Sequence, residues 1–180
     1  VTAEQFASML RDSQARLLFA DDAAAPLLDG LDAVPRTIAL NHTLDAEALD
    51  DWLAAPGSRP QAVALQPEWP FNIIYSSGTT GTPKGIVQSH GMRWVHVMRG
   101  ATYGYGPDTV TLLSTPLYSN TTLVVFFPTL AFGGTVLLMP KFDAAGYLKL
   151  AQANRVTHTM LVPVQYQRLM ARPDFDAHDL

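Results

Sequence analysis

The feature that most constrains the fold is a long uncharged stretch, because no charged residue lies between Asp108 and Lys141. An apolar stretch of about 18 or more residues is a candidate for a transmembrane helix. Here Pro128 and the pair Gly133-Gly134 interrupt the stretch, and the part beyond the glycines is short and β-branched. We therefore expect a buried helix with a kink at Pro128, a turn and a buried strand, and no membrane span.

Short apolar segments alternate with segments of helical periodicity along the rest of the chain. The first helix, Thr2–Asp12, has a capping pattern, with Thr2 as N-cap and Gln5 placed to bond back to it. This alternation predicts an α/β fold with a layered, parallel-rich sheet covered by helices. The predicted strands are Ala15–Ala20, Arg36–Asn41, Phe71–Ser76, Gly85–Gln88, Thr109–Ser114, Thr135–Met139 and Val156–Leu161. The other predicted helices are Ala23–Leu31, Asp45–Ala54, Met92–Tyr103, Thr121–Phe132, Ala144–Asn154 and Val164–Met170.

Composition excludes several classes of function. The chain has 180 residues, 48% of them hydrophobic and 16% charged, which is too apolar for a disordered protein. Its net charge of -4 argues against a nucleic-acid partner. The absence of cysteine excludes disulfides, thiolate catalysis and cysteine-type zinc sites. Abundant alanine and the excess of arginine over lysine are typical of a bacterial cytoplasmic protein.

A connection rich in proline and glycine, residues 56–70, is the clearest internal boundary. It divides the chain into a strand–helix–strand segment with its connection, 1–60, and a second segment, 61–180. The chain begins at Val1 and stops at Leu180 within ordinary globular sequence, so we expect it to be a piece of a longer protein.

The most informative segment is Tyr75–Gly85, with the sequence YSSGTTGTPKG. Its three glycines let the backbone turn sharply and approach a ligand closely, and its Ser and Thr side chains supply five neutral hydroxyl donors. Backbone N–H groups in such a loop form an anion-binding concavity. Lys84 adds a positive charge, and Pro83 stiffens the backbone before it. The segment therefore predicts a polyphosphate-binding loop between two short strands.

Two common nucleotide-binding motifs do not fit this segment. A Walker loop has Gly before its Lys and Ser or Thr after it, whereas here Pro83 precedes Lys84 and Gly85 follows. A Gly-x-Gly-x-x-Gly fingerprint is also missing.

The segment resembles the phosphate-binding signature of the adenylate-forming superfamily, which includes acyl-CoA synthetases, peptide-synthetase adenylation domains and beetle luciferases. Further landmarks of that family follow in the expected order, so the resemblance covers essentially the whole chain. They are Ala3–Ala20, Ser89-His90, Pro116-Leu117-Tyr118, Gly133–Pro140 and Thr157–Pro163.

The resemblance implies a fold and a reaction. The fold is part of a larger N-terminal domain, because the family's later acidic Tyr-Gly-x-Thr-Glu segment, its ribose-binding Asp and its mobile C-terminal domain do not occur here. The reaction is acyl-CoA synthesis, in which a fatty or aryl carboxylate attacks ATP to give acyl-AMP, and coenzyme A then displaces AMP. The implied cofactors and partners are ATP, Mg²⁺, coenzyme A and a small carboxylate. An isolated piece is expected to be inactive and to self-associate through exposed apolar surface.

The resemblance also implies roles for individual residues. Lys84 and Thr80 are the expected catalytic residues, and Thr79 is a candidate Mg²⁺ ligand. The expected ATP-binding residues are Ser76, Ser77, Gly78, Thr79, Thr80, Gly81, Thr82, Lys84 and Gly85. The expected substrate residues are Tyr118, Ser119 and Asn120.

One departure from the family pattern affects the substrate side. Many members carry His after the Pro-Leu-Tyr segment, near the carboxylate substrate, whereas this chain has Ser119-Asn120. Either this departure shifts the substrate class, or Asn120 supplies a neutral hydrogen bond in place of the histidine. The apolar residues Leu123, Phe126, Phe127 and Leu130 are expected to be core, with an acyl tunnel along this face as an alternative.

Two other functions remain open at this point. One is a non-catalytic nucleotide- or phosphate-binding module, and the other is a structural or interaction domain with a flexible Gly/Thr loop. The five histidines show no metal-ligand spacing.

Overall fold

A computed structural model describes residues 1–31, 33–41, 44–76 and 83–180. The chain forms two compact units. The first, the N-terminal unit, consists of Val1–Leu65 and Tyr75–Val87. The second, the C-terminal unit, consists of Gln66–Ile74 and Gln88–Leu180. The predicted boundary near residue 60 stays a prediction.

The N-terminal unit contains a parallel sheet in the order β1-β2-β3, which is formed by Leu17–Ala20, Arg36–Ala39 and Glu47–Ala48. Ile38 in β2 is fully buried, as expected for the central strand of a small sheet. Helix α1 begins with the predicted capping box, in which Thr2 Oγ1 accepts from Gln5 N–H and Gln5 Oε1 accepts from Thr2 N–H. The helices are α1 (Ala3–Ser13), α2 (Ala25–Leu28) and α3 (Leu49–Trp52).

The helix predicted over Asp45–Ala54 is wrong in its first half, where β3 takes its place. Glu47 pairs in register with Ile38 of the neighbouring strand. Arg36 Nε and Nη2 donate to the two carboxylate oxygens of Glu47 at 2.9 and 2.8 Å. Pairing with β2 and this side-chain contact both come from residues distant in sequence, which a local helical pattern does not contain.

Strands β4 (Pro70–Ser76) and β5 (Lys84–Ser89) form a two-stranded sheet. They correspond to the two short strands predicted on either side of the Gly/Thr segment. Ser76 ends the first strand and Lys84 begins the second.

The C-terminal unit is built on a parallel sheet in the order β7-β6-β8. Its core packs the central strand against two helices through Leu112, Tyr147, Leu148, Ala151, Leu161 and Leu169. The α/β class with parallel strands is therefore confirmed. The strands are β6 (Val110–Leu113), β7 (Thr135–Leu138) and β8 (His158–Thr159), and the helices are α4 (His90–Arg99), α5 (Asn120–Ala131), α6 (Ala144–Ala153) and α7 (Pro163–Met170).

Helix α5 and strand β7 account for the uncharged stretch. The helix runs through Pro128 without interruption, and the turn after it uses Gly133 at φ +78°. Gly134 leaves no room for a side chain, because a Cβ there would lie 2.8 Å from the carbonyl oxygen of Thr109. In the part of the chain described, no helix combines the length and the apolar character needed to cross a bilayer.

Buried threonines join α5 to the sheet. Thr111 and Thr129 are fully buried, and their hydroxyl oxygens lie 2.6 Å apart. Thr129 Oγ1 also donates to the Val125 carbonyl. The buried residues of α5 are therefore Thr122, Val125, Pro128 and Thr129. Of the residues expected to be core, Leu123, Phe126 and Phe127 are half-buried, and Leu130 is 52% exposed.

Candidate functional site

The predicted phosphate loop is described only at its two ends. Ser76, Lys84 and Gly85 are exposed. Ser76 and Lys84 lie at the ends of two strands of the same sheet, which suits residues that flank a ligand-binding turn. Six predicted site residues lie outside the described residues: Ser77, Gly78, Thr79, Thr80, Gly81 and Thr82.

Tyr75 anchors one end of this segment within the N-terminal unit. Its hydroxyl donates to Asp12 Oδ2 at 2.6 Å, near the end of α1. Burial, followed by the hydrogen bond to the Asp12 carboxylate, raises the pKa of Tyr75. The phenol therefore stays neutral and keeps its donor at physiological pH.

The three predicted substrate residues lie together where α5 begins in the C-terminal unit. Tyr118 is 79% exposed, Ser119 is the N-cap and Asn120 is the first helical residue. The Ser119 side chain makes no capping hydrogen bond. The first turn of α5 therefore has backbone N–H groups that can bind a polar ligand.

The Asn120 side chain belongs to a polar cluster with Asn72, Gln88 and Arg93. Arg93 of α4 is only 4% exposed, and it donates from Nε to Asn72 Oδ1 and from Nη1 to Asn120 Oδ1, both at 3.0 Å. Gln88 Nε2 donates to the same Asn120 oxygen at 3.3 Å. The guanidinium carbon also lies 5.6 Å from the centre of the Phe127 ring. Burial lowers the pKa of Arg93.

A cavity of about 440 Å³ lies within the C-terminal unit, between α4, α5 and β8. Its volume is in the range of small-molecule sites. The apolar part of its wall comes from Val124, Val125 and Pro128 of α5 and from Met160. The predicted substrate residues 118–120 do not line this cavity. Nor do the four residues considered for an acyl tunnel, Leu123, Phe126, Phe127 and Leu130.

Aromatic and imidazole groups form the polar wall of the cavity. The rings of Tyr105 and His158 have centroids 4.1 Å apart. His158 Nε2 lies 2.9 Å from the Tyr103 carbonyl oxygen, which can only accept, so Nε2 carries the proton. Burial raises the pKa of Tyr105, so its hydroxyl is neutral at physiological pH.

His96 on the same wall has a buried Nδ1 with no hydrogen-bond partner among the described residues. Burial, and then the charges of Arg93 and Arg99, lower the pKa of His96. An unfolded imidazole protonates near its ordinary pKa of about 6.5. Between that pH and the lowered pKa of the folded state, the unfolded chain binds more protons than the folded chain.

We therefore expect acid to destabilise the protein through His96. Stability should fall as the pH drops below about 6.5, and this contribution should level off below the folded-state pKa. The His96→Gln variant should lose less thermal stability than the wild type between pH 7.5 and 5.5. Thermal melts at both pH values check this, and an equal loss in both proteins would contradict it.

Sequence reasoning missed this second group of polar residues. The signal for Arg93 was a charged residue at a core-facing position of α4, but periodicity alone does not show its partners Asn72 and Asn120, which lie on other elements. His96 and His158 both line the folded cavity. Their spacing in the sequence matches no motif, so it did not indicate that they share a site. Among the described residues, no group of three or more histidine, aspartate or glutamate side chains is arranged to hold a metal ion.

Comparison with known proteins gives a consistent result. The profile of the AMP-binding enzyme family matches residues 1–180. The chain is 36% identical over 127 residues to an indoleacetate–CoA ligase of Aromatoleum aromaticum, covering 67% of this chain and 24% of that protein. It is 31% identical over 166 residues to a medium/long-chain-fatty-acid–CoA ligase of Mycobacterium tuberculosis, covering 88% of this chain and 29% of that protein. The chain thus spans about a quarter of the length of these relatives.

Solved structures show the same fold. An amide bond synthetase of Marinactinospora thermotolerans matches with a TM-score of 0.83 and 27% identity, over 99% of this chain and 36% of that chain. The N-terminal domain of a Mycobacterium tuberculosis protein, FACL13, matches with a TM-score of 0.79 and 24% identity, over 99% of this chain and 46% of that chain. The expected match to part of an N-terminal domain is therefore confirmed.

Proposed function

Because the chain belongs to the family of AMP-binding enzymes, we propose that it is part of the N-terminal domain of an ATP-dependent acyl-CoA ligase. The family match over residues 1–180 carries this proposal, and two of the relatives are named as CoA ligases. The longer protein that contains this chain is called the full-length enzyme below. We expect the segment alone to be inactive and to self-associate.

We assign the first half-reaction, adenylation, to the loop between β4 and β5. A carboxylate oxygen attacks the α-phosphorus of ATP and forms the acyl-AMP bond. The bond between the α-phosphorus and the oxygen bridging to the β-phosphorus breaks, and pyrophosphate leaves with the bonding electrons. Lys84 would bind the β- and γ-phosphates together with Ser76, Ser77, Thr79 and Thr80, while the loop glycines allow close backbone approach. Exposure of Ser76 and Lys84 at the strand ends is compatible with this role.

The second half-reaction transfers the acyl group from acyl-AMP to the thiol of coenzyme A, releasing AMP. Mg²⁺ would accompany ATP as its counter-ion, with Thr79 as a candidate ligand. We also propose a cytoplasmic location, which suits the water-soluble substrates ATP and coenzyme A.

We assign the carboxylate to the start of α5 and the acyl chain to the 440 Å³ cavity. Tyr118, Ser119 and Asn120 lie at a helix N-terminus, where the macrodipole favours an anion. Val124 and Val125 lie one turn further along the same helix and line the cavity. One helix therefore carries both residues for the carboxylate and residues for an apolar chain, which suits a fatty or aryl acid.

Carboxylate-dependent ATP–pyrophosphate exchange by the full-length enzyme tests the proposal. Short, aryl and long-chain acids should be compared under the same MgATP concentration. Exchange with one class would establish adenylation and identify the substrate group. MgATP binding without exchange for any acid would instead support a non-catalytic nucleotide-binding module, and no MgATP binding would support a structural domain.

We expect the Val124→Phe variant to change substrate preference. The larger ring would occupy part of the cavity, so the ratio of kcat/KM for long acids to that for short acids should fall by about tenfold, since one methylene in an apolar pocket changes selectivity by about 10- to 200-fold. The rates of thioester formation across a series of chain lengths measure this ratio. Val164→Phe, at an exposed position on α7, is the matched control. An unchanged chain-length profile in Val124→Phe would remove the cavity from the acyl site.

A further inference from the structure

Arg93 is a buried cation without an anionic partner. It is 4% exposed, and no carboxylate in the described part of the chain forms an ion pair with it. Its contacts are two neutral amide oxygens, from Asn72 and Asn120, and the face of Phe127. Burying an unpaired charge is costly, so an apolar side chain would pack here at lower free energy.

The cluster is also incompletely satisfied as a structural unit. Arg93 Nη2 and Gln88 Oε1 are buried, and neither has a hydrogen-bond partner among the described residues. A cluster that served only to stabilise the fold would be expected to satisfy its buried polar atoms. The hydrogen bond to Asn120 suggests a role for Arg93 other than stability.

Arg93 determines which end of the Asn120 amide faces inward. A guanidinium can only donate, so the Asn120 atom 3.0 Å from Arg93 Nη1 has to be the oxygen. Gln88 Nε2 donates to the same oxygen, so both of its lone pairs are engaged. Asn120 is an exposed residue and keeps only its Nδ2 hydrogens for a further partner.

We propose that Arg93 is a positioning residue that fixes the Asn120 amide with its NH2 group towards the substrate, so that this end of α5 binds the carboxylate oxygens of the acid. This inference rests on the proposed function, which places the carboxylate at Asn120. It adds a specificity rule, because an amide held in this orientation donates to an acceptor and offers no acceptor to an amine or hydroxyl. Arg93 adds a positive charge behind the amide, which further favours an anion.

The first test is the Arg93→Met variant of the full-length enzyme, assayed by pyrophosphate exchange. Methionine fills similar space without donors. The remaining partner, Gln88, is an amide that can present either a donor or an acceptor, so it does not fix which end of the Asn120 amide faces inward. We expect the KM for the carboxylate to rise by about tenfold, the factor that corresponds to loss of one charge-assisted interaction. The KM for MgATP should stay within about twofold. Arg168→Met, at an exposed position of α7, is the matched control.

The second test, Asn120→Asp, separates positioning from stability. The new carboxylate would pair with Arg93, and a negative charge in the first turn of a helix is favourable, so the melting temperature should not fall. The same change removes the Nδ2 donors and repels an anion. The carboxylate KM should therefore rise by at least about tenfold while stability is kept, a combination that a purely structural role does not produce.

Three results would overturn the inference. One is an unchanged carboxylate KM in Arg93→Met. Another is an equal rise in the KM of carboxylate and of MgATP, which would show a general structural defect. The third is a wild-type carboxylate KM in Asn120→Asp, which remains decisive if Arg93→Met does not fold. If the wild-type enzyme shows no carboxylate-dependent exchange at all, the proposed function fails, and this inference fails with it.

Discussion

Replacing Lys84 with alanine in the full-length enzyme should lower kcat/KM for MgATP in pyrophosphate exchange by about 10- to 100-fold. The lysine begins β5, and its ammonium group is exposed beside the predicted loop. A charge-assisted hydrogen bond to phosphate is worth about 1.5–3 kcal/mol, and about 1.4 kcal/mol corresponds to a factor of ten in rate. The KM for the carboxylate should change little, because the lysine is assigned to the leaving group. Initial exchange rates at varied MgATP and fixed acid measure the effect.

The control for this prediction is Lys149→Ala, which removes an exposed lysine from α6 and should leave exchange unchanged. Thr80→Val should also weaken pyrophosphate formation, because it removes one proposed phosphate donor while keeping a side chain of similar size. Wild-type exchange rates in both Lys84→Ala and Thr80→Val would refute the assignment of the loop to ATP.

Local sequence signals predicted the fold well where neighbouring residues alone determine the structure. The Thr2–Gln5 capping box is complete within one helical turn, and the structure has it as predicted. Strand β7 follows two glycines that the turn requires, so its start at Thr135 was also predictable. In both segments, the residues that determine the backbone conformation lie within a few positions of each other in the sequence.

Local sequence patterns gave wrong predictions where the structure of a segment depends on a residue that is distant in sequence. Glu47 lies in a strand that pairs with β2 and contacts Arg36 there, and no local helical pattern contains that information. The strand predicted over Val156–Leu161 is reduced to His158–Thr159, and before it the hydroxyl of Thr157 accepts from Val110 N–H in place of a backbone carbonyl. The most buried residues of α5 were also not predicted, because Thr129 is buried through hydrogen bonds to Thr111 of the sheet and to the Val125 carbonyl of its own helix.

The two parts of the candidate site also differ in how far they could be predicted from sequence. The predicted phosphate loop could be proposed from sequence because its residues are contiguous, and the placement of Ser76 and Lys84 at strand ends agrees with the predicted strands. The proposed substrate side depends on residues that are far apart in sequence, such as Asn72, Arg93 and Asn120. Only the packed structure shows the hydrogen bond from the buried Arg93 to the Asn120 amide at the start of α5.

The packing that holds the C-terminal unit together should be most sensitive at Leu148. This side chain is fully buried in the core cluster, where α6 packs on the central strand through Leu112. Leu148→Ala removes its buried methyl groups and leaves a cavity, which costs about 2–5 kcal/mol of the free energy of unfolding. Because β6 also carries Thr111, the partner of α5, loosening this core should weaken the support of the substrate side.

Leu150→Ala provides a matched control on the same helix, since Leu150 is 37% exposed and the change in helix propensity is the same. We expect it to cost well under half of the Leu148→Ala value, because part of its side chain already contacts water. Chemical denaturation of both variants of the full-length enzyme measures the difference. Equal losses would mean that this core does not determine stability. A Leu148→Ala protein that melts earlier yet keeps its MgATP KM when folded would separate packing of the sheet from binding by the phosphate loop.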